Sequence, residues 1–126
     1  MICLEGKTIG LRNSELLIII PAYNESGNIE KTIKMIEEHT PEFDYVIIND
    51  CSTDQTLEIC RNNNFNVIDL PINLGIGGAV QTGYQYAVKN GYQYAVQVDG
   101  DGQHNPEFIR KMLQVLQEKN VNMVIG

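Results

Sequence analysis

The chain predicts an α/β fold, a mostly parallel sheet with helices on both faces. Short, wholly apolar, β-rich runs alternate along it with longer segments of helical periodicity, and repeated strand–helix units imply parallel pairing with both sheet faces covered. Several of these runs also end in clusters of Gly, Pro, Asn, Asp and Ser. At the C-terminal ends of parallel strands, such clusters lie where open α/β sheets bind ligands.

Residues 1–15 carry no clear period and read as a short leading strand or a loose arm. The apolar run over 16–20 suits a strand buried on both faces. Residues 21–27 form a turn-rich loop, and a helical pattern follows with Ile29, Ile33 and Ile36 on one face. A second buried strand spans 45–48 and ends at Asn49-Asp50, with a helix over about 54–62 and a third strand over 65–70. The loop over 71–78 opens a helix running to about Lys89, stopped by Asn90-Gly91. A fourth strand over 94–98, a helix over 106–119 and a fifth strand over 121–125 complete the pattern. No linker, low-complexity tract or repeat divides 16–126. The sequence stops at Gly126 directly after an apolar, strand-like run, which predicts the N-terminal fragment of a longer protein.

At 126 residues the chain is one domain, large enough for a real core. Its net charge of −7 argues against nucleic acid, whose backbone is bound by clustered Lys and Arg. An anionic substrate then requires a metal or backbone amides to neutralise it. Cys3, Cys51 and Cys60 are odd in number and show no CxxC spacing, so they read as reduced thiols and not as a disulfide framework or zinc site. No apolar run approaches a membrane span, and the N-terminus lacks a basic-then-apolar signal pattern. The expectation is a soluble, cytoplasmic chain.

The segment Val98-Asp99-Gly100-Asp101-Gly102-Gln103-His104 carries the most chemistry. Two aspartates one residue apart, at a strand end, would repel a phosphorylated substrate unless a hard divalent cation sits between them. Mg²⁺ or Mn²⁺ takes oxygen ligands and keeps phosphate oxygens as partners. Gln103 offers a neutral oxygen to the same cation, and His104 is either a donor to phosphate or a solvated loop residue. The alternative is that Asp101 or Asn105 caps the helix that Pro106 opens.

Three other clusters follow strands. In Pro21-Ala22-Tyr23-Asn24-Glu25, Tyr23 suits stacking on a planar base and Glu25 suits a ribose or base N–H. The same segment also reads as a plain turn with an acidic first helical turn. In Asn49-Asp50-Cys51-Ser52-Thr53-Asp54, Asp50 is the ligand candidate, and Ser52, Thr53 or Asp54 the helix cap. Asn73-Leu74-Gly75-Ile76-Gly77-Gly78-Ala79 lets backbone amides approach an anion or sugar. It is neither a GxGxxG loop nor a Walker loop, and a glycine-rich turn is its other reading. His39 suits the end of its helix, and Tyr84, Tyr86, Tyr92 and Tyr94 read as helix–sheet packing.

These four segments, in this order and each after a strand, resemble the family 2 glycosyltransferases with the GT-A fold, closest to their dolichol-phosphate mannosyltransferase and polyprenyl-phosphate glycosyltransferase branch. The resemblance covers about 16–126. It implies that Pro21, Ala22, Tyr23 and Glu25 contact the nucleotide of an activated sugar, with Ile48 and Asp50 around the base and Gly78, Asp99, Gly100 and Asp101 completing the substrate site. Asp99, Asp101 and Gln103 would ligate Mg²⁺ or Mn²⁺. The donor would be UDP- or GDP-linked and the acceptor a molecule such as a polyprenyl phosphate. Sugar transfer would invert the anomeric carbon at the cytoplasmic face of the membrane, with membrane contact only through parts absent from this chain. Cys51 stands where the family usually has glycine. The general base lies beyond the Asp-x-Asp segment in the family and has no match in 1–126, so no catalytic residue is assigned.

Competing readings are a sugar-phosphate nucleotidyltransferase and a nucleotide-sugar-binding module without turnover. The former usually carries a glycine-rich, basic loop after its first strand, where this chain has Ala22-Tyr23-Asn24-Glu25. A receiver-type signalling domain lacks support, since no lysine follows a late strand in the required way.

Overall fold

A computed structural model of the chain describes residues 2–3, 14–100 and 107–119. Its elements follow in the order β1 (Ile2–Cys3), β2 (Leu16–Ala22), α1 (Ile29–His39), β3 (Asp44–Asn49), α2 (Thr56–Asn62), β4 (Val67–Asp69), α3 (Gly75–Lys89), β5 (Tyr94–Gln97) and α4 (Glu107–Lys119). The strands form one sheet in the order β1-β5-β2-β3-β4. The β2–β3, β2–β5 and β3–β4 pairs are parallel, and β1 joins β5 antiparallel, so the leading segment does contribute an edge strand.

The period-2 alternation of side chains explains why β2 is apolar throughout. Leu16, Ile18 and Ile20 face a core built with Ile29, Ile33 and Ile36 of α1, Cys60 of α2, and Ile109 and Leu116 of α4. Leu17 and Ile19 face the opposite core with Ala79 and Ala87 of α3. Residues 16 to 20 are all fully buried. Tyr84, Tyr86 and Tyr94 pack partly against these cores and Tyr92 is buried in the second, as expected.

β2 runs two residues past its expected end. Pro21 and Ala22 therefore belong to the strand, in register with Ile48 and Asn49. The missing N–H of Pro21 costs no rung there, because β5 pairs only with Leu16 to Ile19. α3 begins at Gly75, so the glycine-rich segment expected as a loop forms its first turn. Gly75 itself has φ 80°, a backbone conformation that suits glycine. The expected strand over 121–125 lies outside the described residues.

From β2 the chain steps outward through β3 to β4, then α3 carries it back across β2 to β5 on the other side. The strand order therefore reverses between β2 and β5, which opens a crevice at their C-terminal ends. Among the described residues no helix is long and apolar enough to cross a membrane.

Candidate functional site

That crevice holds a cavity of about 270 Å³ lined by Pro21, Ala22, Tyr23, Glu25, Asp50, Ile76, Ala79, Asp99 and Gly100. The end of β2 supplies Pro21 and Ala22, the loop after it Tyr23 and Glu25, the loops after β3 and β5 Asp50, Asp99 and Gly100, and the start of α3 Ile76 and Ala79. Sequence reasoning missed the last two. They lie three residues apart on one helix face, a signal hidden by reading the glycine run as a loop. Ile48 is fully buried in the α3-side core and does not line the cavity. Nor does Gly78: a β-carbon there would stand 2.6 Å from Leu74 Cβ, so glycine lets the start of α3 close on itself. Asp101, Gln103 and His104 lie outside the described residues.

The loops after β2 and β3 are joined to each other by hydrogen bonds. Asn24 sits at φ 54°. Its N–H donates to Ser52 Oγ at 3.0 Å, and its Oδ1 accepts from the Thr53 and Asp54 amides at 2.8 and 3.3 Å. The Glu25 amide donates to Thr56 Oγ1 at 2.9 Å, and the Ser26 amide to Asp54 Oδ2 at 3.1 Å. The N-cap of α2 is Gln55, without a side-chain cap bond, so none of Ser52, Thr53 and Asp54 holds the cap position expected of them. Asp54, one residue earlier, accepts the Thr56 amide on Oδ1 at 2.9 Å and bridges to the neighbouring loop. Burial raises the pKa of Asp54, but hydrogen bonds from Thr56 and Ser26 outweigh it and hold the carboxyl at about 2. Tyr23 and Glu25 are thereby carried on a backbone fixed relative to Asp50.

Asp50 is 3% exposed. Its N–H donates to the Ala22 carbonyl at 2.9 Å, its carbonyl accepts from Asn73 Nδ2 at 3.1 Å, and its Oδ1 accepts from the Leu74 amide at 2.7 Å. On the facing wall, the Gly100 carbonyl accepts from Thr32 Oγ1 at 3.0 Å, which ties the end of β5 to α1. Gln97 Nε2 donates to Asp99 Oδ1 at 3.1 Å. Cys51 sits at φ 58°, in the left-handed region, which gives a physical reason for a glycine at this position in the family it resembles.

Among the described residues no group of three or more His, Cys, Asp or Glu is placed to hold a metal. Asp99 is a hard oxygen donor on the cavity wall, the kind of ligand Mg²⁺ and Mn²⁺ take. Among the described residues the lining includes no Lys, Arg or His, so a cation suits the site if a diphosphate is to enter it.

Residues 17–126 match the family model described as Glycosyl transferase family 2, and the chain belongs to that family. It is 29% identical over 116 residues to the undecaprenyl-phosphate mannosyltransferase of Micrococcus luteus, a match covering 88% of this chain and 47% of that protein. It is 33% identical over 128 residues to the UDP-N-acetylglucosamine–dolichyl-phosphate N-acetylglucosaminyltransferase of Methanococcus voltae, covering 88% and 51%. The chain thus spans about half the length of the curated relatives it matches. Its fold is similar to a mannosyltransferase from Pyrobaculum calidifontis solved with GDP-Man and Mn²⁺, with TM-score 0.71 and 18% identity over 93% of this chain and 36% of that one. It is also similar to residues 1–349 of Staphylococcus aureus TarS solved with UDP, with TM-score 0.67 and 28% identity over 83% and 32%. The α/β architecture is that of the GT-A glycosyltransferases, as expected.

Proposed function

We propose that the protein transfers a sugar from a nucleoside-diphosphate donor to a polyprenyl phosphate, with a divalent cation and inversion at the anomeric carbon. The observation that carries this reading is the cavity at the switch point, where a half-exposed tyrosine, three carboxylates and two strand ends meet. Tyr23 stacks on the base, and Asp50 and Glu25 accept N–H or O–H groups of the nucleoside. Pro21, Ala22 and Gly100 form walls without polar side chains. Asp99, with Asp101 and Gln103, would hold Mg²⁺ or Mn²⁺. The cation supplies Lewis acidity at the leaving diphosphate and a template for it.

The lipid phosphates in the names of the Micrococcus and Methanococcus relatives support this acceptor class. A phosphate monoester carries about −1.5 to −2 charge at pH 7, so its oxygen attacks already ionised. The general base implied by the family resemblance is then needed only for a hydroxyl acceptor. A lipid acceptor also puts the reaction at the membrane, and we place it on the cytoplasmic face.

Incubation of the full-length protein with radiolabelled UDP- and GDP-sugars, Mn²⁺ and polyprenyl phosphate tests the reading. Label moving into the lipid phase is the expected result. Label retained in the aqueous phase for every donor would overturn it.

A further inference from the structure

We propose that Thr32 of α1 is a positioning residue for the cation ligand Asp99, an inference that rests on the metal-dependent donor reading above and adds a residue to it. Thr32 lies in the apolar face of α1 among Ile29, Ile33 and Ile36 and is 1% exposed. Its hydroxyl departs from the habit of helical threonines. Thr40, at the end of α1, and Thr82, in α3, turn theirs back to the carbonyl four residues earlier, at 2.9 Å in each case, the local bond that threonine ordinarily makes on a helix. Thr32 Oγ1 instead donates across the core to the Gly100 carbonyl, 68 residues away, at 3.0 Å. Packing alone calls for an apolar residue here, because a hydroxyl buried in an apolar face is costly without a partner.

The bond places Asp99 between two fixed points. Before it, the Val98 N–H donates to the Ile19 carbonyl at 2.9 Å, which holds the chain to β2. After it, Thr32 holds Gly100 to α1. Gly100 also packs on the site itself, since a β-carbon there would stand 3.4 Å from Glu25 Cγ and 3.5 Å from the Pro21 carbonyl. A divalent cation demands oxygens at closely set distances, about 2.0–2.1 Å for Mg²⁺. Groups that hold its ligands in place are typically worth about 10–100-fold in metal affinity. Without the Thr32 donor, the buried Gly100 carbonyl loses its partner, and the turn that carries Asp99 shifts to find another. The nucleoside side of the cavity is anchored separately, the Glu25 amide on Thr56 Oγ1 and the Asp50 amide on the Ala22 carbonyl. Thr32 therefore acts on the cation and not on the base.

Titration calorimetry of the full-length protein with UDP, in Mn²⁺ and in EDTA, and with uridine tests the inference. The first variant is Thr32→Val, which keeps the branched shape of threonine and removes the donor. The ratio of UDP affinity in Mn²⁺ to that in EDTA should fall about tenfold, the lower end of that range because Thr32 acts through the backbone. Uridine affinity should stay within about twofold of the wild type. Thr32→Ser, which keeps the hydroxyl, should restore most of the metal enhancement, whereas Thr32→Ala, which again lacks it, should not. A lowered Tm with unchanged metal enhancement assigns Thr32 to packing alone and overturns the inference. So does a serine variant no better than valine or alanine. If the wild type itself shows no metal enhancement, the cation reading fails and the role of Thr32 falls with it. Should Thr32→Val not fold, the comparison of serine with alanine decides alone.

Discussion

Gly83 of α3 lies directly against Ile19 of β2. A β-carbon on Gly83 would stand 2.3 Å from Ile19 Cγ2 and 3.0 Å from its Cγ1. This approach sets how closely the helix that carries Ile76 and Ala79 packs on the central strand. Gly83→Ala gains helix propensity, but overpacking a fully buried contact typically costs about 1–3 kcal/mol, and overpacking should prevail. Thermal unfolding should show a clearly lowered Tm. Adding Ile19→Ala should produce less than the sum of the two single losses, because the removed atoms are those that clash. Strict additivity would show that the clash is relieved elsewhere.

Asp54 joins the loops after β2 and β3, and its charge matters for that role. Its folded pKa of about 2 lies below the ordinary 3.8. The stability it contributes is therefore complete above about pH 4 and is lost as the pH falls towards 2. The side chain is exposed, so solvent screening keeps the effect below what the pKa difference alone would suggest. Asp54→Ala should cost about 0.5–2 kcal/mol at pH 7, the range for losing a side-chain acceptor of first-turn helix amides, because the Thr56 and Ser26 amides lose their acceptor. Its melting temperature should fall less steeply than that of the wild type between pH 4 and pH 2. Parallel pH–Tm curves for the two proteins would remove Asp54 from this account.

Cys51 holds a left-handed backbone at φ 58°. A side chain in that region costs about 1–2 kcal/mol, and glycine gives back part of the gain through chain entropy, about 0.5–1 kcal/mol. Cys51→Gly should therefore stabilise the fold by roughly 0.5–1 kcal/mol, less the weak contact of Cys51 Sγ with the Pro71 carbonyl at 3.7 Å. Cys51→Val should destabilise it, since β-branched residues tolerate positive φ worst. Chemical denaturation of the three proteins measures both, and a destabilised glycine variant would contradict the account.

Much of this arrangement was legible because it follows local periods. The unbroken run from Leu16 to Ile20 announces a strand buried on two faces, and the spacing of Ile29, Ile33 and Ile36 announces the helix face that covers one of them. Tyr23, Glu25, Asp50 and Asp99 were legible as a group because each follows a strand end, and parallel strands put those ends together. What escaped depends on contacts between distant segments or on backbone conformation. The Asn24 and Ser26 bonds to the next loop span 28 to 30 residues and leave no periodic trace. Pro21 reads as a turn residue until the sheet shows that β5 no longer pairs beside it. Glycines Gly75, Gly77 and Gly78 read as a loop, although packing against β2 and β3 makes them the start of a helix.

The three carboxylates around the cavity make the last prediction. Glu25, Asp50 and Asp99 line it, with no basic side chain in the lining among the described residues, in a chain of net charge −7. A nucleoside enters such a cavity at no electrostatic cost, whereas a diphosphate brings like charge to it. Unit charges 4 Å apart interact by about 1 kcal/mol in water and about 4 kcal/mol near a protein surface, so a bridging cation should change diphosphate affinity by about tenfold or more. UDP should therefore bind far more tightly with Mn²⁺ or Mg²⁺ than in EDTA, while uridine binds equally in both. Asp99→Ala should remove the metal enhancement for UDP and leave uridine affinity near that of the wild type, because Asp50 and Tyr23 still hold the base. Calorimetry of both ligands, with and without metal, on both proteins distinguishes the outcomes. A metal effect retained in Asp99→Ala would take this residue out of the cation site. Equal UDP affinity with metal and in EDTA would mean that the backbone amides around the crevice neutralise the diphosphate.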